Sequence, residues 1–133
     1  MNASDWTSLV DPENVLSRLY DTPPALDDCV LLCVQIDERG CSVTMGFETF
    51  RVPTTPPAAW DRPYNTLEFS IGFTGVEGLS ISGWNSAVRE GVRFSAHGSE
   101  SVRVSLHHVD SRLAFTATGA SVTRLHPYLA GKP

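Results

Sequence analysis

From Cys29 onward the chain alternates apolar and polar residues with a period of two, the signature of half-buried β-strands. Val30, Leu32, Val34 and Ile36 share one face, Asp37-Glu38-Arg39-Gly40 supplies a turn, and Val43, Met45 and Phe47 follow. Pairing Ile36 with Cys41 sets Val34 opposite Val43, Leu32 opposite Met45 and Val30 opposite Phe47, so the apolar faces agree. A one-residue slip would oppose them. Cys29, Leu31 and Cys33 make the first strand apolar on its other face as well, which predicts a central strand covered on both sides. Leu67, Phe69, Ile71 and Phe73 continue the alternation, and Leu79 and Ile81 follow a glycine-bearing turn. Further strands are predicted over 91–97, 102–109 and 112–118, with a short last strand holding Val122. Seven or eight short strands between about 29 and 125, joined mostly by short turns, predict a mainly β (α+β) fold. Its architecture is an antiparallel sandwich or open barrel.

The period changes to that of a helix only near the N-terminus. Asp11 suits an N-cap, Pro12 the first helical position and Glu13 the positive helix end, while Leu16, Leu19 and Tyr20 form an apolar stripe. A helix over 12–20 follows, stopped by Asp21-Thr22-Pro23-Pro24. Trp6 and Leu9 predict another helical turn packed beside it, with Trp6 in the core.

The strand pattern is interrupted by a proline-rich connecting loop, 52–63, which opens Val-Pro-Thr-Thr-Pro-Pro-Ala-Ala-Trp. Proline fixes φ and pushes the preceding residue toward extended conformations, so this loop loses little entropy on ordering. It is expected to join two hairpin-like units, at minimum as a connection between sheets. Trp60 is read as its buried anchor.

A chain of 133 residues is expected to form one domain, 1–133, with a core of ordinary size. No apolar run approaches the roughly 20 residues of a membrane span. The N-terminus lacks the basic start and apolar stretch of a signal peptide, so a cytoplasmic protein is expected. Cys29 and Cys33 lie roughly 13 Å apart if they share one strand, beyond disulfide reach. Reduced and mostly buried thiols are therefore expected for the three cysteines.

Charge is unevenly spread. Residues 1–50 carry nine acids against Arg18 and Arg39, or −7, while the remaining residues carry six acids against eight bases, or +2, for the net −5 of the whole chain. An acidic first third disfavours nucleic acid, which needs clustered positive charge, and can steer a basic protein partner into contact. Asp21, Asp27, Asp28, Asp37 and Glu38 form the candidate partner-binding surface. The alternative is a solvated face with loop caps.

No convergent chemistry emerges from the side chains. His107 and His108 point to opposite faces of one strand, and His97 and His126 lie elsewhere. There is no Gly-x-Ser-x-Gly, no zinc-ligand spacing, no Walker sequence and no Gly-x-Gly-x-x-Gly. Asp27-Asp28 reads as a solvated loop pair rather than paired catalytic carboxylates. The expectation is a non-enzymatic protein with no catalytic residue, no cofactor and no metal.

The order Trp6, Asp11-Pro12 opening a helix that ends Leu19-Tyr20, Pro24-x-Leu26, Pro56-Pro57-x-x-Trp60 and Gly83-Trp84 resembles the immunity protein 50 family of bacterial polymorphic toxin systems. By motif the likeness covers about the first 85 residues, with Pro56, Pro57 and Trp60 as loop markers. Nine arginines to one lysine suit actinobacterial members. The resemblance implies a mostly β, non-enzymatic cytoplasmic protein that binds and neutralises a cognate toxin, with no catalytic or binding residues to carry over. A competing expectation is a small-molecule-binding β-sandwich whose Trp60, Phe73 and Trp84 line a cavity. An exposed strand edge leaves homodimerisation open.

Overall fold

The computed structural model describes residues 6–83, 91–108 and 110–130. Two short helices, α1 (Thr7–Val10) and α2 (Val15–Leu19), and one 3-10 turn (Leu26–Asp28) precede the strands. The strands are β1 (Cys29–Asp37), β2 (Ser42–Thr49), β3 (Thr66–Thr74), β4 (Glu77–Ser82), β5 (Val92–His97), β6 (Ser101–His108), β7 (Ser111–Ala117) and β8 (Gly119–Tyr128). They form two four-stranded antiparallel sheets in the orders β1-β2-β3-β8 and β4-β7-β6-β5. The mainly β sandwich is as expected. Its last strand is longer than the pattern suggested, because Gly119 to Tyr128 pairs along the whole of β3.

The two sheets cross. At the start of β1 the 3-10 turn packs on β5, while beyond its end Cys41 accepts a hydrogen bond at 2.9 Å from the Val76 amide, next to β4. Since β5 and β4 are opposite edges of the second sheet, β1 runs across that sheet rather than along it, an orthogonal packing. The chain changes sheets twice at one corner, from β3 to β4 and from β7 to β8. Thr118 donates its amide to the Thr74 carbonyl there at 3.0 Å. Gly75 has φ +60°, and a Cβ on it would lie 2.0 Å from Thr118 Oγ1, so this corner admits only glycine.

Alternation puts Val43, Met45 and Phe47 of β2, and Leu67, Phe69, Ile71 and Phe73 of β3, on the inner face, all buried. Facing them are Val102, Val104 and Leu106 of β6 and Leu113, Phe115 and Ala117 of β7. Aromatic rings bridge the gap. Phe94 of β5 lies 5.9 Å from Trp6, 6.4 Å from Phe47 and 5.8 Å from Phe73, and Phe73 meets Phe115 edge-on at 5.2 Å. Trp6 also stacks on Phe69 and donates its indole N–H to the Pro24 carbonyl at 3.0 Å, so the expected core role of Trp6 holds.

The first hairpin departs from the expected register. Asp37 pairs with Ser42, Ile36 with Val43 and Val34 with Met45, a two-residue offset that leaves the faces unchanged. The turn uses 38–41 instead of 37–40, with Asp37 Oδ1 accepting the Gly40 amide and Cys41 at φ +50°. A bulge between Leu31 and Cys33 then inverts the faces, so Leu31 opposes Phe47 and Cys29 opposes Thr49. Leu31 and Cys29 are buried and Leu32 turns outward, because apolar residues on both faces gave this half of the strand no preferred side. Nor is β1 central: it is a sheet edge. Its burial fades from Cys29 toward Asp37 accordingly.

The expected helix over 12–20 is shorter and starts later. Asp11 closes α1 with its amide, bonded to the Thr7 carbonyl at 2.9 Å, and its carboxylate accepts the Val15 and Leu16 amides at 2.9 and 2.8 Å. Pro12 therefore lies in a turn between the helices, and Asn14 sits at the cap with φ 57°. One buried carboxylate thus satisfies two orphan donors of α2. Replacing it by Asp11→Ala leaves those amides unpaired and should cost about 1.5–3 kcal/mol, read as a lower urea midpoint at unchanged m-value.

Candidate partner-binding surface

The sheet places the five candidate acids in two groups. Asp21 follows α2, and Asp27 and Asp28 lie in the 3-10 turn, while Asp37 and Glu38 lie beyond the other end of β1. Nine residues of extended chain separate Asp28 from Asp37, roughly 30 Å. The acids therefore mark two ends of one edge rather than a single cluster.

At the first end the acids meet arginines that the sequence pattern did not connect with them. Arg93 of β5 lies 3.1 Å from Asp27, and Arg51, just after β2, lies 3.6 Å from Asp28. Both pairs are well exposed, so each contributes little to stability. At the second end, Asp37 is occupied by the turn amide of Gly40.

The proline-rich loop joins β2 to β3, adjacent strands of the same sheet, and so does not connect the two sheets as expected. Its shape is held from α2. The Leu19 carbonyl accepts the Thr55 amide at 2.9 Å and the Thr54 hydroxyl at 3.3 Å, which satisfies an orphan carbonyl at the helix end. Thr54 Oγ1 in turn accepts the Asp21 amide at 2.8 Å, and the Tyr20 hydroxyl donates to the Arg51 carbonyl at 2.5 Å. Pro56 and Pro57 are exposed. Trp60 is half-buried against the core, edge-on to Tyr64 at 5.9 Å.

On the outer face of the first sheet, Glu48 and Glu68 are direct cross-strand partners, and Glu68 faces His126. Tyr128 donates its hydroxyl to Glu48, and Arg124 lies 3.9 Å from Glu68. The Glu48 hydrogen bond pushes the Tyr128 phenol up to about 12. Like carboxylates facing each other across strands cost stability, which the Tyr128 and Arg124 contacts offset. This pairing depends on the register of β8, which no local pattern announced.

Among the described residues, no group of three or more His, Cys, Asp or Glu side chains is placed to hold a metal ion. His97, His107 and His126 are exposed and His108 is half-buried. One groove of about 310 Å³ is lined by Leu26, Asp27, Cys29, Val92, Arg93 and His108, and a second of about 210 Å³ lies between Leu9 and the β5–β6 turn. Neither is the aromatic cavity of the competing expectation. Phe73 is fully buried between the sheets, Trp60 packs on Tyr64, and Trp84 lies outside the described residues. No helix of the described residues is long and apolar enough to cross a membrane.

Two antiparallel four-stranded sheets with few helices define the class of this protein as a mainly β sandwich domain. The immunity protein 50 family model matches residues 13–128, and the chain belongs to that family. No curated protein and no solved structure matches it.

The cysteines correct the expectation of mostly buried thiols. Only Cys29 is buried; Cys33 and Cys41 are exposed, since Cys33 faces outward after the bulge and Cys41 sits in the turn. Burial, with the charge of Asp28, pushes the Cys29 thiol up to about 12. Burial likewise raises the Tyr20 phenol. In the native protein Ellman's reagent should therefore titrate two thiols, with the third reacting only on denaturation. The pH dependence has a definite sign: with folded values above the unfolded ones, the unfolded chain loses these protons first. Their stabilisation is complete below roughly pH 8.5 and is lost as pH climbs toward the folded values. The melting temperature should fall steadily over that alkaline range, and less steeply in Cys29→Ala.

Proposed function

We propose that this chain is a non-enzymatic immunity protein that binds and neutralises a cognate toxin of a bacterial polymorphic toxin system, in the cytoplasm of the cell that makes both. The family match across residues 13–128 carries the reading. Asp37 and Glu38 beyond the far end of β1, more than Asp27 and Asp28, which already meet Arg93 and Arg51, support a basic protein partner, because complementary charge raises association rates and fixes orientation. A loop held by helix α2 and its flanking residues would meet such a partner at little entropic cost.

A toxin domain found encoded beside this gene would provide the test. Co-expression should yield a complex that co-purifies, and cells expressing the toxin should survive when this protein is present. Absence of both binding and rescue overturns the reading. In the complex, Asp37→Asn with Glu38→Gln should slow association several-fold at low salt and flatten its salt dependence, with little change in dissociation.

A further inference from the structure

Among the described residues, β4 is the one strand exposed at every position. It is a sheet edge, and Ile81 pairs with the buried Leu113 of β7, so the face that Ile81 shares with Leu79 is the inner one. Both side chains belong to the space between the sheets, yet Leu79 is 37% and Ile81 41% exposed. Ile36 of β1 also faces inward, opposite Val43, and is 45% exposed. The bond from the Val76 amide to Cys41 holds the end of β1 beside the start of β4. The sandwich is therefore open along this margin, where aliphatic side chains of both sheets turn toward a gap that neither sheet closes.

The composition of the edge selects the occupant. From Val76 to Gly83 the only charged residue is Glu77, and there is no proline. Such an edge has little charge with which to choose a charged partner, but it matches itself. A two-fold axis normal to the sheet at Ser80 sets two copies of β4 antiparallel, with Leu79 opposite Ile81 of the other copy on both sides of the axis and Ser80 opposite Ser80. The start of the strand carries Glu77 toward the Gly83 end of the other copy, so no like charges meet. With the axis normal to the sheet, all four aliphatic side chains lie on the inner face and cover one another across the seam. The other edges do not allow this. β1 is bent by its bulge at Leu32 and ends on Asp37, β8 lacks a donor at Pro127, and β5 packs against α1 and the 3-10 turn. The protections of β4 are its six-residue length and the irregular register between Glu77 and Ser80, which leave its second half regular.

We infer that β4 pairs with β4 of a second copy of this chain, joining two four-stranded sheets into one continuous antiparallel sheet. Main-chain hydrogen bonds along the seam and the Leu79–Ile81 contacts hold it. An interface this short falls below the size of permanent dimers, so the association is reversible and depends on concentration. The dimer forms without the proposed toxin, and its test is separate.

Light scattering of the full chain, carrying Cys33→Ser and Cys41→Ser to exclude stray disulfides, reads the mass from about 10 μM to about 1 mM. The mass should climb from the 14.5 kDa of one chain toward twice that. Ser80→Lys sets two like charges on the axis and should weaken association at least about tenfold, whereas Gln35→Lys on β1 should leave it within about twofold, with both variants folded by circular dichroism. Two cysteine variants read the register. Ser80→Cys meets its own copy at disulfide distance across the axis, and mild oxidation should link most chains in pairs. Ser82→Cys lies roughly 13 Å from its copy and should link few. A chain that stays monomeric through the whole range overturns the inference. So does a dimer that Ser80→Lys leaves intact or Gln35→Lys abolishes, and equal linking at 80 and 82 overturns the axis at Ser80.

Discussion

The contact on which this molecule depends is made by Phe94. It is half-buried, yet it touches Trp6 from the N-terminal segment and Phe47 and Phe73 from the opposite sheet. Each such ring pair contributes beyond its buried area because edge and face charges are complementary. Crossed sheets touch over a limited central area, so a few large rings there do what rows of aliphatic side chains do in aligned sandwiches. The end of the sandwich is closed by the same cluster, since Trp6 stacks on Phe69 and bonds to Pro24.

From that centre the exposure of β1 follows. The crossing carries the far half of β1 away from the centre of the opposite sheet, leaving Ile36 half in solvent and Leu32 turned out by the bulge. The same crossing brings the 3-10 turn over β5, where Asp27 finds Arg93. An edge strand with acids at both ends is thus a result of sheet geometry as well as of sequence charge. The proline-rich loop contributes differently, by tying α2 to the base of β2 and β3 through Leu19, Tyr20 and Thr54.

Much of this was legible in the residues. Where one face of a strand is apolar and the other polar, as in β2, β3 and β7, the inward side chains follow directly from the alternation. Trp6 and the helical stripe of Leu16, Leu19 and Tyr20 were also readable, as was the family pattern. The failures have one physical source, which is information held in long-range pairing. Residues 29–33 are apolar on both faces, so only the neighbour β2 could decide which side went in. Asp11 looked like an ordinary N-cap because the turn through Asn14 is visible only in the backbone. The ion pairs of Asp27 and Asp28 and the contact of Tyr128 with Glu48 join residues far apart in sequence. Edge status itself is a property of sheet order, and β1 was misread as central for that reason.

The claim that one aromatic cluster couples both sheets is tested most directly by native-state hydrogen exchange in Phe94→Ala. Removing this ring should cost about 3 kcal/mol, toward the low end for such a truncation at a half-buried site. If the cluster couples the sheets, the slowest amides of β2 and β3 lose as much protection as those of β6 and β7, since both exchange through the same global unfolding. A loss confined to β5, β6 and β7, with β2 and β3 unchanged, would contradict the account.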